Sequence, residues 1–141
     1  MMMLARWAFV FLLALAGGWS CFLQETGARA RGADPSSRIA GIWRGHSACV
    51  DKNSACHDEV NVYRFSTVAG RPNTFSVTAS KVVDGKEVVM GTGDWKWDAE
   101  KKVVECEAPA VRLAVDGNKM EGALSLPYGT VYRRIYLERE N

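Results

Sequence analysis

The sequence has no excess of charge of either sign, few histidines and, past residue 30, no stretch with apolar residues at every third or fourth position. Each absence removes a class of protein. Eighteen Lys and Arg stand against 16 Asp and Glu, and the basic residues are scattered among the acids. No electrostatic footprint for nucleic acid or for an anionic membrane surface results. Without a sustained 3.6-residue period there is no helix to carry a crossover connection. No phosphate loop, dinucleotide fingerprint or His-Glu-x-x-His metalloprotease motif occurs. Ser47 in GHSAC does not match the Gly-x-Ser-x-Gly nucleophile elbow, and no strand-to-helix turn exists to hold one. No cofactor and no reaction class is implied.

What is present begins with an export signal. Met1 to Arg6 form a short n-region with one cation, and Trp7 to Leu23 form an apolar stretch broken by Gly17, Gly18 and Ser20. Ala14-Leu15-Ala16 and Ala28-Arg29-Ala30 both fit the small-residue cleavage pattern. The stretch is short of the ~20 apolar residues of a membrane span, so residues 1–30 read as a cleavable signal. Cys21 raises lipid attachment, because Ser20 before it is small, but Gly18 and Trp19 depart from the lipoprotein pattern. No later segment approaches a span. The expected organisation is a signal over 1–30, a flexible arm over 31–38 (RGADPSSR) and one domain over 39–141.

Cysteine use agrees with export. Cys49 and Cys56 bracket the polar loop VDKNSA, and in an oxidising compartment a bridge across that loop is the expected state. Closing so small a loop stabilises by about 2.5 kcal/mol on the chain-entropy argument. Cys106 is then left as a buried free thiol. The competing reading is a zinc site from His46, Cys49, Cys56 and His57, since all four are zinc-ligand types within twelve residues. Cys-x6-Cys is not the Cys-x2-Cys knuckle, and bridged cysteines bind no metal. The disulfide is preferred.

From Ile39 onward, β-rich runs alternate with turn chemistry. The runs are 39–48, 59–67, 74–83, 87–98, 102–108, 111–116, 119–126 and 130–138. Between them lie the cysteine loop, Gly70-Arg71-Pro72-Asn73, Asp84-Gly85, residues 98–101, Ala108-Pro109, Gly117-Asn118 and Pro127-Tyr128-Gly129. Asp-Gly supplies the positive φ of a tight hairpin. Alternation is clear where Val111, Leu113 and Val115 share a face, and again for Trp95 and Trp97. Eight consecutive antiparallel strands left open would expose two long edges, so the expected fold is all-β, an eight-stranded up-and-down barrel. A two-sheet β-sandwich is the alternative.

The first run contains Gly41-Ile42-Trp43 just past the polar arm, and the last contains Arg133 and Arg134 within VYRRIYL. Gly-x-Trp on strand one with a basic residue on the final strand is similar to the signature of the calycin barrels, which include lipocalins and avidin-like proteins. The resemblance implies that an arginine packs over Trp43 at the closed end, a contact worth about 0.5–2 kcal/mol as cation–π attraction. Alternation puts Arg133 and Arg134 on opposite faces and leaves open which one turns inward. The chain after the signal is shorter than most lipocalins, with no room for their C-terminal helix.

Other chemistry-bearing groups have plainer uses. His57-Asp58-Glu59 are adjacent strand residues that point apart, and Glu105 and Glu107 solvate the outside of a strand. Aromatic residues first serve the core. Where a barrel mouth stays open, Trp43, Tyr63, Trp95 and Trp97 are the expected walls for a small apolar or aromatic ligand. The leading expectation is therefore a secreted or periplasmic barrel that binds a small hydrophobic ligand. The second is a protein-binding module similar to the small periplasmic barrels that inhibit secreted proteases, with Arg31–Arg38 as the inserting arm. A metal-binding or purely structural exported protein is the third.

Overall fold

In the computed structural model, residues 34–141 are described; the segment 1–30 expected to be a signal, with Cys21, and residues 31–33 lie outside the described residues. A 3-10 turn, Pro35–Arg38, precedes eight strands. These are β1 (Gly41–Cys49), β2 (Glu59–Thr67), β3 (Thr74–Val83), β4 (Lys86–Asp98), β5 (Val103–Cys106), β6 (Ala110–Asp116), β7 (Lys119–Ser125) and β8 (Val131–Arg139). Each strand pairs antiparallel with the next, and β8 returns to β1, so the sheet closes in sequential order. The expected up-and-down barrel is the fold. Tight turns make this order possible: Asp84 (φ 50) and Gly85 (φ 75) take the left-handed backbone of a two-residue hairpin.

Closure is set by the β1–β8 register, which runs from Trp43 opposite Arg139 to Cys49 opposite Arg133. Successive side chains point to opposite faces of a strand. Ile135 and Leu137 are fully buried, and Arg133 and Arg139 lie in phase with them. On β1 the same alternation buries Trp43, Ser47 and Cys49. Gly45, between them, lies so close to β8 that a Cβ there would sit 1.9 Å from the Tyr136 carbonyl oxygen, so only glycine fits.

The core fills the end of the barrel where β1 begins. Trp43, Phe65, Phe75, Trp97, Val104, Leu113, Met120 and Leu137 are buried together there. Phe65 meets Phe75 edge-on at 6.2 Å and Trp95 at 5.6 Å. The indole N–H of Trp43 donates to the Ile39 carbonyl at 2.9 Å. Arg139 lies over the Trp43 ring at 5.7 Å. Its guanidinium also donates to the Ala40 carbonyl at 2.6 Å and to the Arg38 carbonyl.

Two expectations are corrected at this end. The arginine that covers Trp43 is Arg139, not Arg133 or Arg134, because the strand stagger brings the last residue of β8 opposite Trp43. Arg133 does turn inward, but at the far end of the barrel, and Arg134 is exposed on the outer face. Part of the segment expected to be a flexible arm is instead the Pro35–Arg38 turn. Asp34 caps it by accepting from the Ser36 N–H at 3.0 Å, and Arg139 binds its last carbonyl.

The ring is closed unevenly. β4 is the longest strand, yet it pairs with β5 only through Lys96, Trp97 and Asp98. The preceding part of β4, from Lys86 to Trp95, pairs with β3 and has no strand on its other side among the described residues. The cause is local. Residues 107–109 turn into β6, a place where Pro109 is tolerated because it needs no ladder N–H, and β5 therefore stops at Cys106, short of the expected 102–108. A β-bulge at Met90 bends β4 further, since Ala79 faces Gly91 while Ser80 faces Val89. On the outer face Glu87 ties this half of β4 back to the barrel, with 2.5 and 3.0 Å bonds to Arg64 and a 3.4 Å contact to Arg44.

Replacing Arg139 by alanine removes the ring contact and two carbonyl bonds, and it should cost about 1–3 kcal/mol of unfolding free energy in urea titration. Arg134→Ala, on the exposed face, should change it by less than about 0.5 kcal/mol. Equal losses would show that the clamp carries no special weight.

Candidate functional site

Where β5 fails to follow β4, the barrel wall opens into a cleft of about 160 Å³. Tyr63, Val77, Ala79 and Trp95 form its inner wall, and Gly91 and Gly93 line the β4 side. Cys106, Ala108, Pro109, Val111 and Leu124 face them across the gap. The glycines keep the entrance clear: a Cβ on either would meet nothing within 4 Å. Tyr63 and Trp95 brace one another edge-to-face, with ring centres 5.7 Å apart at 78°. Trp95 is nearly buried and is backed by the closed-end core.

Above the cleft, toward the disulfide loop, the lumen turns polar. Arg133 donates to the Ser47 hydroxyl at 3.1 Å and to the His57 carbonyl at 2.9 Å. Its second terminal nitrogen lies 3.4 Å from Glu59, and Lys81 reaches the same carboxylate oxygen at 3.5 Å. Asn61 is 1 % exposed, and its amide oxygen has no hydrogen-bond partner. Tyr63 sits between the two zones. Burial, with Glu59 adding and Arg133 opposing, pushes its phenol up to about 12. Nearby, Asp58 accepts from the Cys49 N–H at 2.8 Å and pairs with Lys52, which together hold its carboxyl below the usual range.

The residues expected to act together are divided by the structure. Tyr63 and Trp95 line the cleft; Trp43 and Trp97 do not, because both are packed into the closed-end core. The Trp97 indole N–H is buried there without a partner. Cys49 and Cys56 are joined, with Cα atoms 6.0 Å apart. That overturns the alternative zinc site, since neither sulfur is available as a thiolate. His46 stacks on Tyr136 at 5.1 Å on the outer face, and His57 is exposed in the loop. Among the described residues no three metal-ligand side chains converge. Cys106 is free, as expected, but half-buried at the cleft rather than fully buried.

Several lining residues escaped the sequence reading. Val111 shares a strand face with Leu113 and Val115 in the sequence, but nothing there marks it, Val77, Ala79 or Leu124 as cleft rather than core. Gly91 and Gly93 within a strand, with Pro109 across from them, were the available signal of a break in the wall.

Comparison with known proteins supports the architecture and goes no further. No family profile and no curated protein matches the chain. Among solved structures, a redesigned β-barrel is similar, with a TM-score of 0.55 at 15 % identity, covering 77 % of this chain and 96 % of that one. The class defined by fold and neighbour is an eight-stranded antiparallel up-and-down β-barrel. No helix among the described residues is long and apolar enough to cross a membrane.

Two measurements check the site. Alkylation of unfolded protein without reductant should label Cys106 and leave Cys49 and Cys56 unlabelled; labels on both loop cysteines would contradict the bridge. In an absorbance titration one phenol should ionise late, near pH 12, and Tyr63→Phe should remove that step. A folded phenol held above its ordinary value of 10.0 stabilises fully below pH 10. Tyr63 should therefore make stability fall as pH rises from 10 toward 12, a loss absent from Tyr63→Phe.

Proposed function

We propose that this chain is an exported binding module of calycin type whose lateral cleft takes a small apolar or aromatic molecule. The observation that carries the reading is the unpaired stretch of β4, which leaves the apolar wall of Tyr63, Val77 and Trp95 open to the side. An apolar cavity of about 150 Å³ is enough to hold a benzene-sized ligand. The cleft is in that range and below the roughly 300–1,000 Å³ of drug-sized sites, so one ring and a short substituent is the fitting size. The calycin kinship is supported by Gly41-x-Trp43 with Arg139 over the indole. Export is supported by the signal layout of residues 1–30 and by the Cys49–Cys56 bridge, which suits an oxidising compartment.

A second reading, a module that binds a secreted protein, is favoured by a different observation. Val88, Val89 and Met90 are 45 %, 60 % and 45 % exposed beside the unpaired β4 edge, the arrangement that strand addition uses. Of the arm Arg31–Arg38 that such a module would insert, the Pro35–Arg38 part is a turn whose last carbonyl is bound by Arg139 at the closed end.

Toluene separates these readings. At ten times its dissociation constant it should stabilise the wild-type protein by about 1.4 kcal/mol, read as a raised melting temperature. Gly93→Leu, which puts a side chain into the cleft from a position with free space, should abolish the shift. A wild-type protein that toluene does not stabilise would remove the ligand reading.

A further inference from the structure

The apolar lining of the cleft adjoins polar inward positions on the same strands. Three strands each place a cleft-lining residue directly beside a polar one: Tyr63 is two positions from Asn61 on β2, Ala79 two positions from Lys81 on β3, and Leu124 lies opposite Arg133 in the β7–β8 register. Two residues along a strand span about 7 Å and return to the same face. An apolar floor and a polar shelf therefore share one lumen, separated by about the length of a short alkyl chain.

The charge on that shelf has a sign. Arg133 and Lys81 share the single carboxylate of Glu59. The other charges facing the cluster, Lys52 and Asp58, are paired with each other. One positive charge is left uncompensated, on a cluster in which Arg133 is 13 % exposed, Glu59 19 % and Lys81 37 %. Partly buried charge is weakly screened and favours an anion over a neutral group of equal size. Asn61, at the same level, is buried with its amide oxygen unpartnered, and a carboxamide turned the other way offers two N–H donors instead.

We propose that the ligand is a small arylalkyl carboxylate, its ring against Tyr63 and Trp95 and its carboxylate on the shelf made by Arg133, Lys81 and Asn61. This rests on the cleft reading given above and adds a head group to it. The chain between ring and carboxylate is two or three atoms, which makes 3-phenylpropionate the fitting probe and 3-phenylpropanol its neutral match.

The test is calorimetric titration of the full folded protein with both compounds. 3-Phenylpropionate should bind about tenfold or more tightly than the alcohol, a difference of about 1.4 kcal/mol. Lys81→Gln and Arg133→Gln should each lower the acid's affinity more than the alcohol's and so shrink that advantage, and Arg133→Lys should keep part of it. Lys81 is half-exposed with one ion pair, so its variant folds even where loss of the Arg133 bonds to Ser47 and His57 does not permit folding. Acid and alcohol binding alike would overturn the head-group proposal and leave the cleft reading standing. An acid advantage untouched by Lys81→Gln and by any folded Arg133 variant would also overturn it. Binding of neither compound would sink both readings.

Discussion

The pairing of β8 with β1 is the constraint from which the rest of this structure follows. Its register sets Arg139 beside Trp43 and Arg133 beside Cys49. Because a strand repeats every two residues, both arginines face inward together with Ile135 and Leu137. One strand therefore delivers a guanidinium to each end of the lumen. At the core end it covers an indole and collects two backbone carbonyls; at the disulfide end it sits in a polar shelf with Ser47 and Glu59. A slip of one residue would expose both arginines and turn Arg134 and Tyr136 into the core, so the register is strongly held.

A barrel so small has little room, and its packing is divided along the axis. The end near the 3-10 turn is filled with interlocked aromatic rings and excludes water. Toward the disulfide loop the inward positions become Ser47, Asn61, Lys81 and Arg133, and one wall is missing beside β4. The filled half gives the barrel a stable floor. That floor lets the other half keep an opening and tolerate buried polar groups, which would be costly in an isolated two-layer sheet. The disulfide loop, with Asp58 binding the Cys49 N–H, steadies the connection beside that opening.

Much of this was legible in the sequence because it depends on local rules. The bounds of β2 and β3 follow from β-rich runs between strong turn signals, and Asp84-Gly85 forms the hairpin its chemistry demands. The bridge between Cys49 and Cys56 was expected from their spacing around a polar loop and from the export signal read in residues 1–30. Non-local geometry was less accessible. Arg139 lies just past the expected end of the last run at 138, and only the strand stagger decides that it, rather than Arg133 or Arg134, meets Trp43. Trp97 and Trp95 share a face and looked equivalent as ligand walls. Their separate fates, core and cleft, depend on where β5 begins to pair with β4. The shortness of β5 was marked by Pro109, whose effect on the opposite strand depends on tertiary pairing.

The functional account reduces to one claim: the space beside the unpaired half of β4 is a binding site and not an incidental gap. Intermolecular nuclear Overhauser effects from toluene protons to assigned methyl groups test it most directly. The account predicts contacts to the methyls of Val77, Val111 and Leu124, which line the cleft. Contacts confined to Val50, Val60 and Val89 on the exposed surface, or none at all, would contradict it.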